Sequence, residues 1–314
     1  MLIALVFSSC SPQLPTSIGK VREIVIITRY HSLIDSVTNK ILQDSIETPQ
    51  SEPEFLVRNE TLQQLAAFAG FHLIFIIGTL KDEPVQRLLG NYRSEVENDT
   101  SKLFAISEPW AKNQKVLVLV VQNETLLTSE LNKFAKRIRY TFQQWVIDQI
   151  RRITYQRGAN QLLKKILLDK YGFAFDLPTG FKLVDKYEFD KFIYFLSHNP
   201  DRSIFCYYED GMKPLNKGNL LTFRDILTAQ FYDGDFVIKD FTHADTVRFL
   251  DVLALKMTGV WQNNRLVAGG PFVSYCFNYQ NRFYFIDGMA FNPGKYKLDN
   301  QNQLNVILQT FSMR

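Results

Sequence analysis

The sequence is poor in cysteine, proline and glycine, and each scarcity excludes a class of protein. Three cysteines among 314 residues are too few for a small scaffold held together by disulfides. The 11 prolines and 15 glycines are too few for a collagen-like rod or a linker-rich chain. No apolar run of about 18 residues follows residue 10, so the sequence predicts no membrane-spanning helix there.

Short catalytic and metal-binding motifs are absent as well. No CxxC, HExxH, GxSxG or GxxxxGK[ST] pattern occurs, and the four histidines are too widely spaced for a local ligand set. His72 lies in an apolar run, where a hydrogen-bonded core histidine is expected. We therefore predict no metal and no cofactor, and the sequence assigns no catalytic residue.

Apolar and aromatic residues are plentiful instead. Hydrophobic residues make up 46% of the chain, which is enough to bury a core. With 26 Phe, 14 Tyr and 3 Trp, we expect aromatic side chains to fill much of that core, in one or two compact domains.

The N-terminal residues indicate where in the cell the protein is located. Residues 1–10 read MLIALVFSSC, an apolar run followed by two serines and a cysteine. This order resembles a bacterial lipobox, and the resemblance implies that Cys10 is acylated. Residues 11–19 then suit a short tether. The resemblance to lipoproteins also implies a periplasm-facing position, because the export signals of surface lipoproteins resemble an acidic cluster just after the cysteine and no such cluster occurs here. The alternative is a buried first strand of a cytosolic protein.

The two remaining cysteines, Cys206 and Cys276, both lie in predicted strands. An oxidising compartment would permit a disulfide between them. Two ordinary buried thiols are the favoured interpretation.

The first half of the chain alternates strands with helices. Apolar and β-branched runs predict strands at 21–28, 72–78, 102–106 and 115–122. Helical spacing of apolar residues appears between them, and such alternation is typical of a sheet covered by helices.

Residues 124–171 have a helical pattern, with a break expected at Gly158. One buried stripe is predicted at Leu127, Leu131, Phe134, Ile138, Phe142 and Trp145. Within residues 133–170, ten basic and two acidic residues give a charge of +8, which leaves −4 elsewhere for a net charge of +4. This basic segment could meet anionic lipid headgroups or nucleic acid phosphates, although a solvated helix face is the favoured interpretation.

The second half consists largely of aromatic-rich strand candidates with short connections, including one long strand at 246–261 and a hairpin at Gln280-Asn281. Consecutive strands predict antiparallel pairing. The expected fold class is therefore α+β, with mixed and antiparallel sheets packed against a long helix and an aromatic-rich core.

We assign residues 1–19 to a lipoprotein signal and tether, 20–172 to a half of strands and helices, and 173–314 to an antiparallel half. The second and third segments could also form one continuous domain.

Two groups of residues are candidate sites. An acidic cluster, which could bind a cation or act in acid–base chemistry but is more simply a solvated loop, comprises Asp233, Asp235, Asp240, His243 and Asp245. A candidate ligand groove, or else a structural turn, comprises Trp261, Gly269, Gly270, Pro271, Phe272 and Tyr275.

Several motifs occur in a distinctive order along the chain. They are SEPEF at 51–55, KVLVLVVQ at 115–122, TFRD at 222–225, GVW at 259–261, GGPFVSY at 269–275 and FNPGKYK at 291–297. Together with Cys10 they resemble the uncharacterised lipoproteins of the Bacteroidetes that form domain-of-unknown-function family 4837. The likeness extends over about residues 18–311. It implies a lipid-anchored location in the cell envelope and a shared architecture, but no activity.

The leading hypothesis is a lipid-anchored, periplasm-facing envelope protein that binds a protein partner or a small ligand and performs no chemistry. Its membrane contact is the N-terminal anchor, and no nucleic acid partner is expected. One alternative is a hydrolase of envelope polymers, which requires the acidic cluster to converge in one pocket. The other is a basic cytosolic nucleic-acid binder.

Overall fold

The computed structural model describes residues 13–90, 93–99, 101–232 and 234–314. They form two compact units. The first unit comprises the residues up to Asp44 together with Glu54–Val146, and the second comprises Ser45–Pro53 together with Ile147–Arg314. The division falls inside a helix, whereas the sequence places its boundary at 172. The proposed domain assignment stays a prediction.

The helices and strands of the described residues follow one another with mostly short connections. The helices are α1 His31–Leu42, α2 Leu65–Phe68, α3 Glu83–Leu89, α4 Arg93–Asn98, α5 Leu127–Thr154, α6 Gln161–Tyr171, α7 Lys217–Phe231 and α8 Leu298–Leu308. The strands are β1 Glu23–Ile27, β2 Ser45–Glu47, β3 Ser51–Pro53, β4 Leu56–Glu60, β5 Leu73–Thr79, β6 Ser101–Ser107, β7 Lys115–Val121, β8 Phe173–Ala174, β9 Lys182–Val184, β10 Phe192–Ser197, β11 Asp201–Asp210, β12 Asp235–Phe249, β13 Val252–Asn263, β14 Gly269–Tyr279, β15 Arg282–Phe291 and β16 Ser312–Met313. The α+β class predicted from the sequence is confirmed.

The first unit is built on a sheet of order β4-β1-β5-β7-β6. Neighbouring strands pair in parallel except β6, which runs antiparallel to β7. A strand that is buried on both faces needs apolar residues at successive positions. The unbroken apolar runs of β5 and β7, whose residues are almost all buried, therefore confirm the strands predicted there.

The basic segment is largely neutralised by nearby acids. Five of its side chains form ion pairs, namely Lys133 with Glu130, Arg139 with Asp44 and Glu54, Arg151 with Asp148, Lys164 with Asp176, and Lys170 with Glu188. Such pairing cancels much of the +8 charge counted along the segment. It favours the solvated-face interpretation over a concentrated anion-binding surface.

The second unit is built on an antiparallel sheet of order β12-β13-β14-β15-β11-β10-β9. Successive side chains of a strand point to opposite faces, so each strand contributes to two cores. On β14, Phe272 and Cys276 pack with α7 residues such as Leu221. Val273 packs on the other face with α8 residues such as Leu304. We call these the α7 face and the α8 face.

The prediction of a single strand at 246–261 is wrong. The chain reverses at Leu250 and Asp251, which have φ values of 49° and 62°, and β12 pairs with β13 across this turn. Two consecutive residues with positive φ close a tight hairpin, but here neither is the Gly or Asn that usually signals it. Residues 235–245, interpreted as a loop, are part of β12.

Cys206 and Cys276 are free, buried thiols. They lie on opposite faces of the sheet, in the α8-face and α7-face cores respectively, so the sheet separates them. Burial raises the pKa of both thiols well above the ordinary value. The interpretation as two buried thiols is confirmed.

In the part of the chain that the structure describes, no helix combines the length and the apolar character needed to cross a bilayer. Cys10, the residue predicted to be acylated, lies outside the described residues.

Candidate functional site

A cavity of about 350 Å³ lies on the α8 face of the second unit. It is bounded by the β2–β3 hairpin, by strands β12 to β14 and by α8. Its lining residues, which define the lysine cavity, are Ser45, Ile46, Glu47, Phe241, His243, Lys256, Thr258, Gly259, Val273, Leu298, Gln301, Asn302 and Asn305. The volume falls within the range of about 300–1,000 Å³ that is typical of small-molecule sites.

Lys256 is the charged residue of β13 that projects into this cavity. Burial lowers the pKa of its ammonium, and the carboxylate of Asp245, its neighbour across the β12–β13 pair, opposes that shift. Among the residues that the structure describes, Lys256 makes no hydrogen bond or ion pair. Its Nζ lies 5.8 Å from the centroid of the Tyr275 ring. The amine is thus partly desolvated and available to a ligand.

Helix α8 forms one wall of the lysine cavity and is held to the sheet by amide side chains. Gln301 Nε2 donates to the carbonyl oxygen of Phe272 at 2.8 Å. The Tyr275 hydroxyl donates to Asn305 Oδ1 at 2.7 Å. These bonds to β14 fix the helix, which keeps the wall of the cavity at a set distance from Lys256.

The β2–β3 hairpin is fastened to the start of α8 by Glu52, which is fully buried. Its carboxylate accepts hydrogen bonds from the backbone N–H groups of Lys297 at 2.6 Å and Leu298 at 3.1 Å. The first N–H groups of a helix lack intrahelical partners and carry partial positive charge, so a carboxylate is stabilised there. The contact positions Ser45 to Glu47 along the cavity and joins the SEPEF and FNPGKYK motifs.

The residues of the predicted groove do not line one surface. Phe272 packs on the α7 face and Tyr275 on the α8 face, because they are separated by an odd number of strand positions. Trp261 and Gly269 line a different cavity of about 370 Å³, together with Phe291.

Gly270, another residue of the predicted groove, is required by the packing of two strands. A side chain there would place its Cβ 1.8 Å from the carbonyl oxygen of Ala290 on β15. Only glycine permits this close approach of the two strands.

The acidic cluster is dispersed. Asp233 lies outside the described residues, and Asp235 is buried, accepting a hydrogen bond from Asn263 Nδ2 at 2.6 Å. The other members are exposed positions on β12, namely Asp240, His243 and Asp245. Of the cluster, His243 lines the lysine cavity. Among the described residues, no group of three or more His, Cys, Asp or Glu side chains could hold a metal ion.

A buried ion pair lies on the α7 face, where two of the motifs meet. Arg224 of TFRD and Asp287 of β15 are both fully buried, with Nε 2.7 Å and Nη2 3.1 Å from the two carboxylate oxygens. The Ser274 hydroxyl also donates to Asp287, and the guanidinium lies 4.1 Å from the centroid of Phe272. Because bidentate pairing and aromatic stacking suit a guanidinium, these motif residues form a structural cluster.

Residues 160–310 match the family model described as Domain of unknown function (DUF4837). This segment of the chain is a DUF4837 domain. The family expected from the motifs is confirmed, although the match begins well after residue 18. The DUF4837 region contains TFRD, GVW, GGPFVSY and FNPGKYK, whereas SEPEF and KVLVLVVQ precede it.

No curated protein matches the chain. Among solved structures, a protein from Bacteroides thetaiotaomicron is 10% identical and covers 46% of this chain and 45% of its own, with a TM-score of 0.29. The Ran-binding protein Mog1p of Saccharomyces cerevisiae is 12% identical, covering 45% of this chain and 90% of its own, with a TM-score of 0.30. Cyanobacterial PsbP (CyanoP) from Synechocystis is 11% identical over 46% of this chain and 87% of its own, with a TM-score of 0.31. This chain thus spans less than half the length of the Bacteroides protein. TM-scores near 0.3 are too low to assign a shared fold or function.

Sequence reasoning missed Lys256 and the role of Glu52. A signal for Lys256 was present, since it is the one charged residue between Val252 and Asn263 in an otherwise apolar strand. No local signal marks Glu52, because its partners Lys297 and Leu298 lie about 245 positions away along the chain.

Proposed function

We propose that this is a lipid-anchored, periplasm-facing protein of the cell envelope that binds a small ligand with an anionic group in the lysine cavity. The observation that carries the ligand assignment is Lys256, a partly desolvated amine that lines a cavity and has no ion pair among the described residues. A ligand with a negative charge would stabilise the protonated form of a lysine in such surroundings, because it would offset the cost of desolvating the ammonium.

The rest of the cavity suits recognition of a polar molecule. Its walls combine apolar side chains such as Val273 and Leu298 with the hydroxyl of Thr258 and the amides of Asn302 and Asn305. Apolar walls with a few placed polar groups are typical of small-molecule sites, in which the polar groups set orientation.

The anchor and the compartment are supported by the sequence. The lipobox-like run that ends at Cys10 supplies the acylation site. Acyl chains contribute about 0.8 kcal/mol for each buried methylene, so a multiply acylated cysteine would hold the protein at a membrane without a spanning helix.

Native mass spectrometry of the protein isolated from its own cells tests the ligand assignment. We expect the wild type to carry a small acidic compound, Lys256→Met to lose it, and Lys239→Met, which removes an exposed lysine of β12, to retain it. A wild type without bound compound, or equal loss in both variants, would contradict the proposal.

Metabolic labelling with a palmitate analogue tests the anchor independently. Label should be incorporated into the wild type and be absent from Cys10→Ala. An unlabelled wild type in the soluble fraction would remove the anchor and the envelope location while leaving the cavity assignment intact.

A further inference from the structure

The second unit contains another cavity, of about 200 Å³, that shares no lining residue with the lysine cavity. It lies beside the end of α5, the turn that follows β8, the end of β10 and the start of β11. Its lining residues, which define the arginine cavity, are Ile153, Thr154, Gln156, Arg157, Gly158, Pro178, Thr179, Gly180, Phe181, Ser197, Arg202 and Gln303. Two arginines and no carboxylate are present in this set.

Arg202 is a largely buried cation without an acidic partner. Its Nη2 donates to Ser197 Oγ at 3.0 Å and its Nη1 donates to Gln303 Oε1, both of which are neutral acceptors. Its Nε is buried and has no hydrogen-bond partner. Burial lowers the pKa of this guanidinium, and no carboxylate offsets the shift. An arginine nevertheless stays protonated, so its charge remains uncompensated.

Thr154 provides a second, independent indication of a missing partner. Its side chain is 7% exposed and lines the arginine cavity, yet its hydroxyl has no hydrogen-bond partner. A buried hydroxyl without a partner costs free energy, and buried polar groups are satisfied in almost all proteins. Arg202 Nε and Thr154 Oγ1 therefore both lack a group that a ligand in this cavity could supply.

The electrostatic balance at the cavity favours an anion. Helix α5 ends at Thr154, and the C-terminus of a helix carries roughly half a negative charge. Arg157, exposed and without an ion pair among the described residues, and Arg202 contribute two full positive charges at the same place. The positive charges outweigh the helix end, so the net field in the cavity attracts anions.

We propose that the arginine cavity binds a phosphate group. Two forked guanidinium groups and the hydroxyls of Thr154 and Ser197 present more donors than a carboxylate can accept, whereas a tetrahedral phosphate can accept from all of them. At about 200 Å³ the cavity is smaller than the range of about 300–1,000 Å³ that is typical of sites for complete cofactors and drug-sized ligands. The phosphate can come from the free anion or from a monoester, such as a glycerophosphate headgroup.

Titration calorimetry with inorganic phosphate, glycerol 3-phosphate and acetate at matched ionic strength tests the site. We expect saturable binding of at least one phosphate compound and no binding of acetate. Binding of glycerol 3-phosphate alone would indicate that the group is carried on a larger molecule. Failure of both phosphate compounds to bind would overturn the proposal.

Substitutions then locate the binding. Arg202→Met should lower the phosphate affinity at least tenfold and Arg157→Gln several-fold. Lys165→Gln, which removes an exposed charge outside the cavity, is the matched control and should change little. Equal losses in Arg157→Gln and Lys165→Gln would show that general surface charge is responsible and would refute the site.

Thr154→Val keeps the proposal testable if Arg202→Met does not fold. Valine retains the shape of threonine and removes a hydroxyl that has no partner, so the variant should unfold at the same temperature or higher without phosphate. It should nevertheless bind phosphate several-fold more weakly. Unchanged phosphate affinity would argue against a ligand in contact with Thr154.

Discussion

The two units hold their buried carboxylates in different places. In the first unit the buried carboxylate of Asp82 lies after the end of β5, where it accepts from the Thr79 backbone N–H at 2.7 Å. In the second unit charged residues lie inside strands: Arg202 in β11, Lys256 in β13 and Asp287 in β15. A charge inside an otherwise apolar strand is costly unless something offsets it. The second sheet is therefore where such residues mark either a buried ion pair or a cavity.

The two cores also differ in composition. β-branched and other aliphatic side chains fill the first sheet, whereas Phe173, Phe175, Phe311 and their neighbours form a continuous aromatic cluster in the second unit. Aromatic rings contribute large buried areas and pack edge-to-face or offset, so ring contacts hold the second core where aliphatic packing holds the first.

Removing one partner of the buried ion pair should have the largest effect. Asp287→Asn leaves the Arg224 guanidinium uncompensated at a fully buried position, so the free energy of unfolding should fall by about 3–5 kcal/mol. Urea denaturation measures this loss. The double variant Arg224→Met with Asp287→Leu should recover much of it, and a double variant as unstable as the single one would contradict the explanation.

The equivalent test in the first unit should give a smaller loss. Asp82→Asn weakens hydrogen bonds from Thr79 and Tyr30 and the ion pair with Arg29, whose side chain is 45% exposed. Since solvent can hydrate the released arginine, we expect a loss of about 2 kcal/mol in urea denaturation. A loss equal to that of Asp287→Asn would remove the contrast between the two sheets.

Neutralising Glu52 should have a still smaller effect that is confined to the second unit. Glu52→Gln retains the side-chain volume but removes the negative charge at the start of α8, which should cost about 1 kcal/mol. Hydrogen exchange should speed up in the first turn of α8 and in the β2–β3 hairpin. Unchanged exchange in both segments would show that Glu52 does not fasten the hairpin.

The smallest effect concerns the pH dependence contributed by Lys256. Burial lowers the pKa of this lysine below its ordinary value of 10.5, so the folded protein binds fewer protons than the unfolded chain between the two pKa values. The stability of the wild type relative to Lys256→Met should therefore rise as the pH increases through that window. Thermal unfolding from pH 7 to 11 checks the sign, and a relative stability that falls would show that Lys256 gains a favourable partner on folding.

The sequence by itself determined the periodic features. Continuous apolar runs identified β5 and β7, and apolar residues at intervals of three and four identified α5, because these patterns record which faces are buried. Motif order identified the DUF4837 family. The hairpin at Leu250 and Asp251 was missed, since leucine rarely adopts positive φ and no glycine marks the turn.

Only the tertiary structure decided which polar residues share a site. Trp261, Phe272 and Tyr275 are close along the motifs, yet strand alternation places Trp261 and Phe272 on the α7 face and Tyr275 on the α8 face. Lys256 and Asn305 line one cavity although they are far apart in the chain. The local sequence pattern indicates which residues are buried. Which residues lie together in one site depends instead on sheet register and helix docking, which are set by contacts between distant residues.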